Sequence, residues 1–334
     1  MSMIRKLLFS LLLIFGAFCA QAQEWINIGL SVRADYQYDW NHDDAVDTGF
    51  RGKYLNLDVN GRINDNFSYA LRQRLNKAPT SDNPFNATDW VYLTYTHSNW
   101  TISAGKQVYE MGGYEYYNAP IDIYYASLFW NNIACYQFGV SGSYTTDNGK
   151  HTLLAQITQS PYAGNSANWY GYNMLWQGDF GFFQTRYSVN FAEYTDGEFV
   201  NHIILGNRLN FGKAFAELDL YHRACLGDYS LFKNFSIVGK LVYDVSDRVS
   251  LFAKATYDKN REGSAYDMGI FPDTEFVRFG GGVEFFPIKG KRNVRLHLNT
   301  YYSHGDNPHP TNPIRPNGLI TDVGLTWKVS LLKR

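Results

Sequence analysis

The chain has 334 residues, with 30 Lys and Arg against 31 Asp and Glu, giving a formal net charge of −1. That balance lacks the basic footprint that nucleic acid requires, so no such partner is expected. Beyond the first two dozen residues nothing approaches the ~20 continuous apolar residues of a membrane helix, yet 17% of the residues are aromatic.

Residues 1–22 read as an export signal. Arg5 and Lys6 give a positive end, an apolar run extends from Leu7 to Phe18, and Ala20-Gln21-Ala22 places small residues where a signal peptidase reads them. Cleavage is expected after Ala22, leaving a mature chain of residues 23–334. Cys19 is counted with the apolar core of the signal, because bulky Phe18 precedes it where a lipid-anchor site needs a small residue.

From Ile26 onward the pattern has period two. Ile26, Ile28, Leu30, Val32, Ala34, Tyr36 and Tyr38 alternate with Asn27, Gly29, Ser31, Arg33, Asp35, Gln37 and Asp39. Side chains of a strand alternate between its faces, so this segment has one apolar and one polar face. The alternation recurs through Leu55–Asn60, Phe67–Arg74, Glu217–Tyr221, Phe235–Asp244, Val249–Asp258, Val277–Phe285, Val294–Asn299 and Asp322–Leu331, with weaker segments near 88–97, 99–107, 136–145, 151–159, 168–177, 181–192 and 199–211. The total is about sixteen. An export signal followed by many such strands predicts an all-β, up-and-down antiparallel barrel in the outer membrane of a Gram-negative bacterium, with lipid on the apolar face.

The connections support this reading. Short, turn-rich ones are expected at 64–66, 97–99, 147–150, 177–179, 211–213, 246–248 and 287–292, and long ones near 41–52, 77–87, 108–135, 160–167, 193–198, 224–233, 259–274 and 304–317. Short turns at one rim and long loops at the other are the arrangement of an outer-membrane barrel. Outward aromatics fall near strand ends, as two girdles at headgroup depth would require. Leu251 is expected near mid-membrane.

A barrel of this size leaves an aqueous channel, and the inward residues are then its lining. The basic candidates are Arg33, Arg62, Arg72 and Arg74 in the first strands, Arg186 and Arg208 further on, and Lys240, Lys254, Arg278 and Arg295 toward the end. Inward carboxylates such as Asp35, Asp58, Glu217, Asp219, Asp258 and Glu284 are fewer. Two outcomes are open: the charges pair and only keep the pore wet, or the basic excess gives a weak anion preference. Connections as long as 108–135 usually have a function. This one is expected to fold into the barrel and narrow it, with Glu110, Tyr114, Glu115 and Asp122 facing solutes and Gly112-Gly113 permitting a sharp bend.

At this segment the chain resembles the phosphate-selective porin O/P family, through Gly105-Lys106 at the end of a strand and Gly113 and Glu115 in the long loop. The resemblance implies a sixteen-stranded barrel, often trimeric, with a basic lumen. No phosphate-binding residue is carried over. The expected function is passive diffusion of small hydrophilic solutes, with a homotrimer and membrane lipid as partners, no cofactor and no catalysis. The alternatives are a filled barrel acting through its extracellular loops and a secreted soluble β-protein. Asp43, Asp44 and Asp47 lack the spacing of a calcium loop, His304 and His309 read as a solvated loop, and a disulfide between Cys135 and Cys225 is left open.

Overall fold

The computed structural model describes residues 25–40, 48–80, 83–164, 168–227, 233–261, 267, 270–309, 314 and 316–334. Residues 1–22, the expected export signal, and Asp43, Asp44 and Asp47 lie outside them.

Sixteen strands close into one antiparallel barrel, each paired with its neighbours in sequence. They are β1 (Trp25–Asp39), β2 (Gly49–Arg62), β3 (Phe67–Arg74), β4 (Thr88–His97), β5 (Trp100–Val108), β6 (Tyr136–Thr145), β7 (His151–Gln159), β8 (Tyr170–Asp179), β9 (Phe183–Thr195), β10 (Glu198–Phe211), β11 (Ala214–Cys225), β12 (Asn234–Ser246), β13 (Val249–Asn260), β14 (Thr274–Phe285), β15 (Val294–Asp306) and β16 (Gly318–Lys333). The seam joins β1 to β16, with Val32 opposite Trp327 and Arg334 exchanging backbone hydrogen bonds with Ile26. Closure leaves no unpaired strand edge, which a lipid environment requires.

Burial runs opposite to that of a water-soluble protein. Leu93, Ile102, Val140, Leu153, Met174, Leu205 and Leu241 are exposed, whereas Ser31, Asp35, Gln156, Asn173, Asn190, Asp219 and Asn299 are buried. Two bands of aromatic pairs ring the exposed face. Phe67–Tyr95, Trp100–Tyr144 and Trp176–Tyr187 lie toward the short turns, and Tyr36–Phe50, Tyr172–Phe199 and Phe235–Tyr257 toward the other rim. Leu251 pairs with Tyr243, two residues from the β12–β13 turn, so it sits at girdle depth rather than mid-membrane. Met174, between Tyr172 and Trp176 on β8, marks the middle.

Two connections differ from expectation. Residues 177–179 continue β8, with Gly178 paired to Thr185. The turn falls at 180–182, where Gly181 takes φ +86° and donates its N–H to Asp179 Oδ1. Two glycines stood three apart, and only strand register decides which one turns. The expected long loop at 193–198 is a tight hairpin with only Asp196 and Gly197 between β9 and β10. Asp-Gly is the ordinary two-residue hairpin signal, and Gly197 supplies the positive φ, +75°. Cys135 and Cys225 are not disulfide-bonded.

Between β5 and β6 the chain forms two short helices, α1 (Tyr114–Tyr117) and α2 (Leu128–Asn132), with a 3-10 turn at Pro120–Asp122. Met111, Tyr116, Leu128, Phe129 and Ile133 of this segment share a buried apolar cluster with Ala192, Ile204, Tyr221, Val238, Ile270 and Phe276.

Candidate functional site

The expected basic residues all fall on the polar face of their strands, but most are already paired. Arg33 is bound to Asp35 at 2.6 Å, both buried. Asp35 also meets His297 at 3.1 Å, across Gly324, where a Cβ would stand 2.2 Å from the Asp35 carboxylate. Arg72 pairs with Asp58 and Arg74 with Asp89, each at 2.6 Å. Arg208 is hydrogen-bonded to Glu217. Arg186 reaches Glu110 at 3.4 Å, and Lys254 reaches Glu115 at 2.6 Å. Arg295 contacts Asp122 at 2.8 Å and Glu284 at 3.4 Å. Arg62 is exposed at the short-turn rim, bonded to the Asp65 carbonyl at 2.8 Å. Arg278 is buried and donates to the Ala126 carbonyl. Lys240 lies opposite Lys254 in register, and its ammonium is 6.0 Å from the Phe215 ring centroid.

Residues 109–133 are bound to the polar faces of many strands. Asn190 of β9 donates to the Glu110 carbonyl, and Gln156 of β7 accepts from the Glu110 N–H. Gly112 donates to Ser188 Oγ, and Gly113 to the Arg186 carbonyl at 3.0 Å. Gly113 and Gly206 are in such close contact that a Cβ on Gly206 would lie 2.6 Å from the Gly113 Cα. The glycine pair therefore serves close approach as much as bending; Gly113 takes φ +83°.

How α1 and α2 are held is not legible in the sequence. The N-cap of α1 is Gly113, which offers no side chain. Asp219 of β11 replaces it, accepting from the Tyr114 and Glu115 N–H groups at 2.9 and 2.7 Å. Asp258 of β13 accepts from Leu128 and Phe129 of α2 at 2.8 and 3.4 Å. A carboxylate at a helix start satisfies orphan N–H donors and complements the helix dipole. The one sequence signal was an acidic residue on an inward strand position.

Further along, Ile123 and Ile121 offer carbonyls to Arg33 at 2.6 and 3.5 Å. Asp122 accepts from Lys328 of β16 at 2.8 Å, and Tyr124 donates to Glu284 at 2.5 Å. Burial pushes the Tyr124 hydroxyl well above its ordinary range and Tyr114 up to about 12. Burial likewise raises the Cys135 thiol, to about 11. Of the four segment residues expected to face solutes, Tyr114 and Glu115 are buried against protein. Glu115 is fixed by Lys254 and by the Ser127 N–H and hydroxyl. Glu110 and Asp122 keep side-chain exposures of 25% and 29%.

These bonds go to β1, β7, β9, β11 and β13–β16. On β2–β4 the inward groups bond among themselves, through Arg72–Asp58, Arg74–Asp89 and Thr88–Gln73, and to the flanking strands, where Ser31 donates to Asp58 and Lys106 to the Thr88 carbonyl. There a cavity of about 270 Å³ is lined by Arg72 and Trp90 of the wall, Tyr117, Asn118 and Pro120 of the segment, and Tyr136, Gln177 and Arg186. Arg72 and Trp90 also line the adjoining cleft with Asp58, Asn60 and Lys328. No group of three or more His, Cys, Asp or Glu that could hold a metal occurs among the described residues.

A closed sixteen-stranded barrel with an apolar outer band and a polar interior is the architecture of an outer-membrane β-barrel of the Gram-negative type. The family model for phosphate-selective porin O and P matches residues 26–178, from β1 into β8, which upholds the resemblance read at Gly105-Lys106 and Gly113. Among solved structures, the chain is similar to an anion-selective porin from Comamonas acidovorans, at 11% identity and a TM-score of 0.65, covering 92% of this chain and 100% of that one. It is also similar to the outer membrane protein OmpT of Vibrio cholerae in its loop L8 deletion form, at 13% identity, TM-score 0.63 and coverage of 91% and 99%. The outer membrane channel DcaP of Acinetobacter baumannii gives 12%, 0.63, 91% and 97%. At these identities the likeness is one of fold. No curated protein sequence matches the chain.

Proposed function

We propose that the mature chain, residues 23–334 after removal of the signal 1–22, is a passive diffusion channel for small hydrophilic solutes, with the 109–135 segment inside the barrel as its constriction. The observation that carries this reading is the incomplete attachment of the segment. Its bonds, among them those to Arg33, Asp219, Asp258 and Arg278, run round the barrel from β7 to β1. A cleft stays open along β2–β4 and the adjoining parts of β1 and β16.

A weak anion preference is part of the proposal. Ion pairing cancels most of the basic excess, that of Arg72 and Arg74 included, and the field at the cleft comes from the part of these two side chains left open, 14% and 29% exposed. The protein acts without catalysis or cofactor. Assembly as a homotrimer in outer-membrane lipid is likewise proposed; one solved form of the similar OmpT is a trimer.

Planar-bilayer recording tests this. Stable conductance steps are expected, and Arg72→Glu with Arg74→Glu should move the reversal potential toward cations. A tight barrel passing no ions would overturn the channel reading. It would favour the second one, a filled barrel acting through its extracellular loops, which the buried cluster of Met111, Phe129, Ile204 and Phe276 supports.

A further inference from the structure

We infer that the constriction carries a binding subsite for a neutral sugar ring, between Trp90 of β4 and Tyr117 of the 109–135 segment. The inference rests on the channel reading above and adds a solute class to it.

Tyr117 is 61% exposed, although its neighbours Tyr114 and Tyr116 are buried. The Arg186 guanidinium lies 4.3 Å from its ring centroid, which occupies one face and fixes the ring. Trp90 is held in the same way by Arg72, 3.9 Å from its ring centroid, and by Tyr136 at 5.8 Å. Two aromatic rings, each with a guanidinium over one face, therefore border one cavity of about 270 Å³, which Arg72 and Arg186 also line. That is just below the ~300–1,000 Å³ of pockets for drug-sized ligands, so it suits a single ring.

The charges choose between solute classes. Both guanidiniums are already engaged, Arg72 by Asp58 at 2.6 Å and Arg186 by Glu110 at 3.4 Å, and Arg186 also donates to the Met111 carbonyl. A phosphate would have to displace a carboxylate to gain a guanidinium, and would meet the other carboxylate unscreened. A neutral polyol faces no such exchange. Its hydroxyls can bond to Asn118, Gln177 and the free lone pairs of Glu110, while the C–H face of its ring lies on the aromatic plates. Aromatic plates with bidentate polar groups at their edges fit a pyranose.

The test uses the whole protein in planar bilayers, with glucose, inorganic phosphate and benzoate as probes. Glucose should reduce the current saturably. Trp90→Ala or Tyr117→Ala should raise the half-blocking concentration at least tenfold, with a larger conductance in salt alone because the passage widens. Tyr117→Phe should restore block. A parallel titration follows intrinsic tryptophan fluorescence in detergent, where glucose should give a saturable change that Trp90→Phe removes. Saturable block by phosphate or benzoate but not glucose would overturn the inference, as would a glucose response indifferent to both aromatic positions. A fluorescence response without any current would uphold the subsite and remove the channel reading instead.

Discussion

The wall running from β7 through β16 to β1 and the wall of β2–β4 carry similar inward residues, arginines and aspartates on alternating positions, yet use them differently. On the first wall the charged groups face the 109–135 segment. Arg33, Arg278 and Arg295 donate to its carbonyls, and Asp219 and Asp258 accept from its helix N–H groups. On the second wall Arg72 and Arg74 are satisfied by neighbouring strands and keep an edge toward the cleft. An inward arginine is thus an anchor or a lining residue according to what stands opposite it, and the strand pattern alone does not distinguish the two.

The same substitution on both walls breaks this comparison most sharply. Arg33→Met leaves Asp35 buried beside His297 with its main counter-ion gone. Breaking a buried pair costs about 3–5 kcal/mol, to be read from denaturant unfolding in detergent. Arg72→Met, whose pair with Asp58 keeps 14% and 17% exposure beside the cleft, should cost less. Equal costs would mean that the two walls are not distinct.

The lipid face gives the next largest effect. Met174→Arg, between the girdle residues Tyr172 and Trp176 and with 68% exposure at its site, should cost about 2–4 kcal/mol. Leu251→Arg, beside Tyr243, should cost about 0–1 kcal/mol. A reversed order would place the apolar band at another depth.

Removing the wall carboxylates that cap the segment comes third. Asp219→Ala and Asp258→Ala should each cost about 0.5–2 kcal/mol as lost helix caps. Both should raise and destabilise the single-channel conductance as the segment loosens. Asp58→Ala, on the wall the segment does not bind, should leave current fluctuations as they were.

The smallest effect is one of pH. Burial raises the Glu110 carboxyl above the ordinary glutamate range, and Arg186 offsets part of the rise. The folded protein thus holds this proton more tightly than the unfolded chain. The group's contribution to stability is complete below the ordinary glutamate value and is lost as pH rises through the raised one. Protonation also removes a negative charge beside Arg186. Lowering the pH through that raised value should therefore move the reversal potential toward anions, and Glu110→Gln should abolish that shift.

Much of the fold was legible in the sequence because lipid imposes a strict two-residue period. Ile26–Asp39 reads as a two-faced strand with no knowledge of its neighbours. The misplaced features depend on partners distant in sequence. Gly178 and Gly181 are equivalent until Thr185 pairs with one of them, and Asp196-Gly197 was hidden by the polar residues around it. At the site, the inward basic positions were legible, but their pairing was not, since Arg186 with Glu110 and Lys254 with Glu115 join residues 76 and 139 positions apart. The role of Asp219 could not be inferred before α1 was known to start at Gly113, with no cap of its own.

In a Cys135→Ser, Cys225→Ser background, single cysteines at Trp90 on the open wall and at Lys240 on the opposite wall can be exposed to a charged, membrane-impermeant thiol reagent during bilayer recording. If ions pass along β2–β4, Trp90→Cys channels lose most of their current on modification while Lys240→Cys channels change little. Block at Lys240→Cys with none at Trp90→Cys, or no current before the reagent is added, would contradict that route.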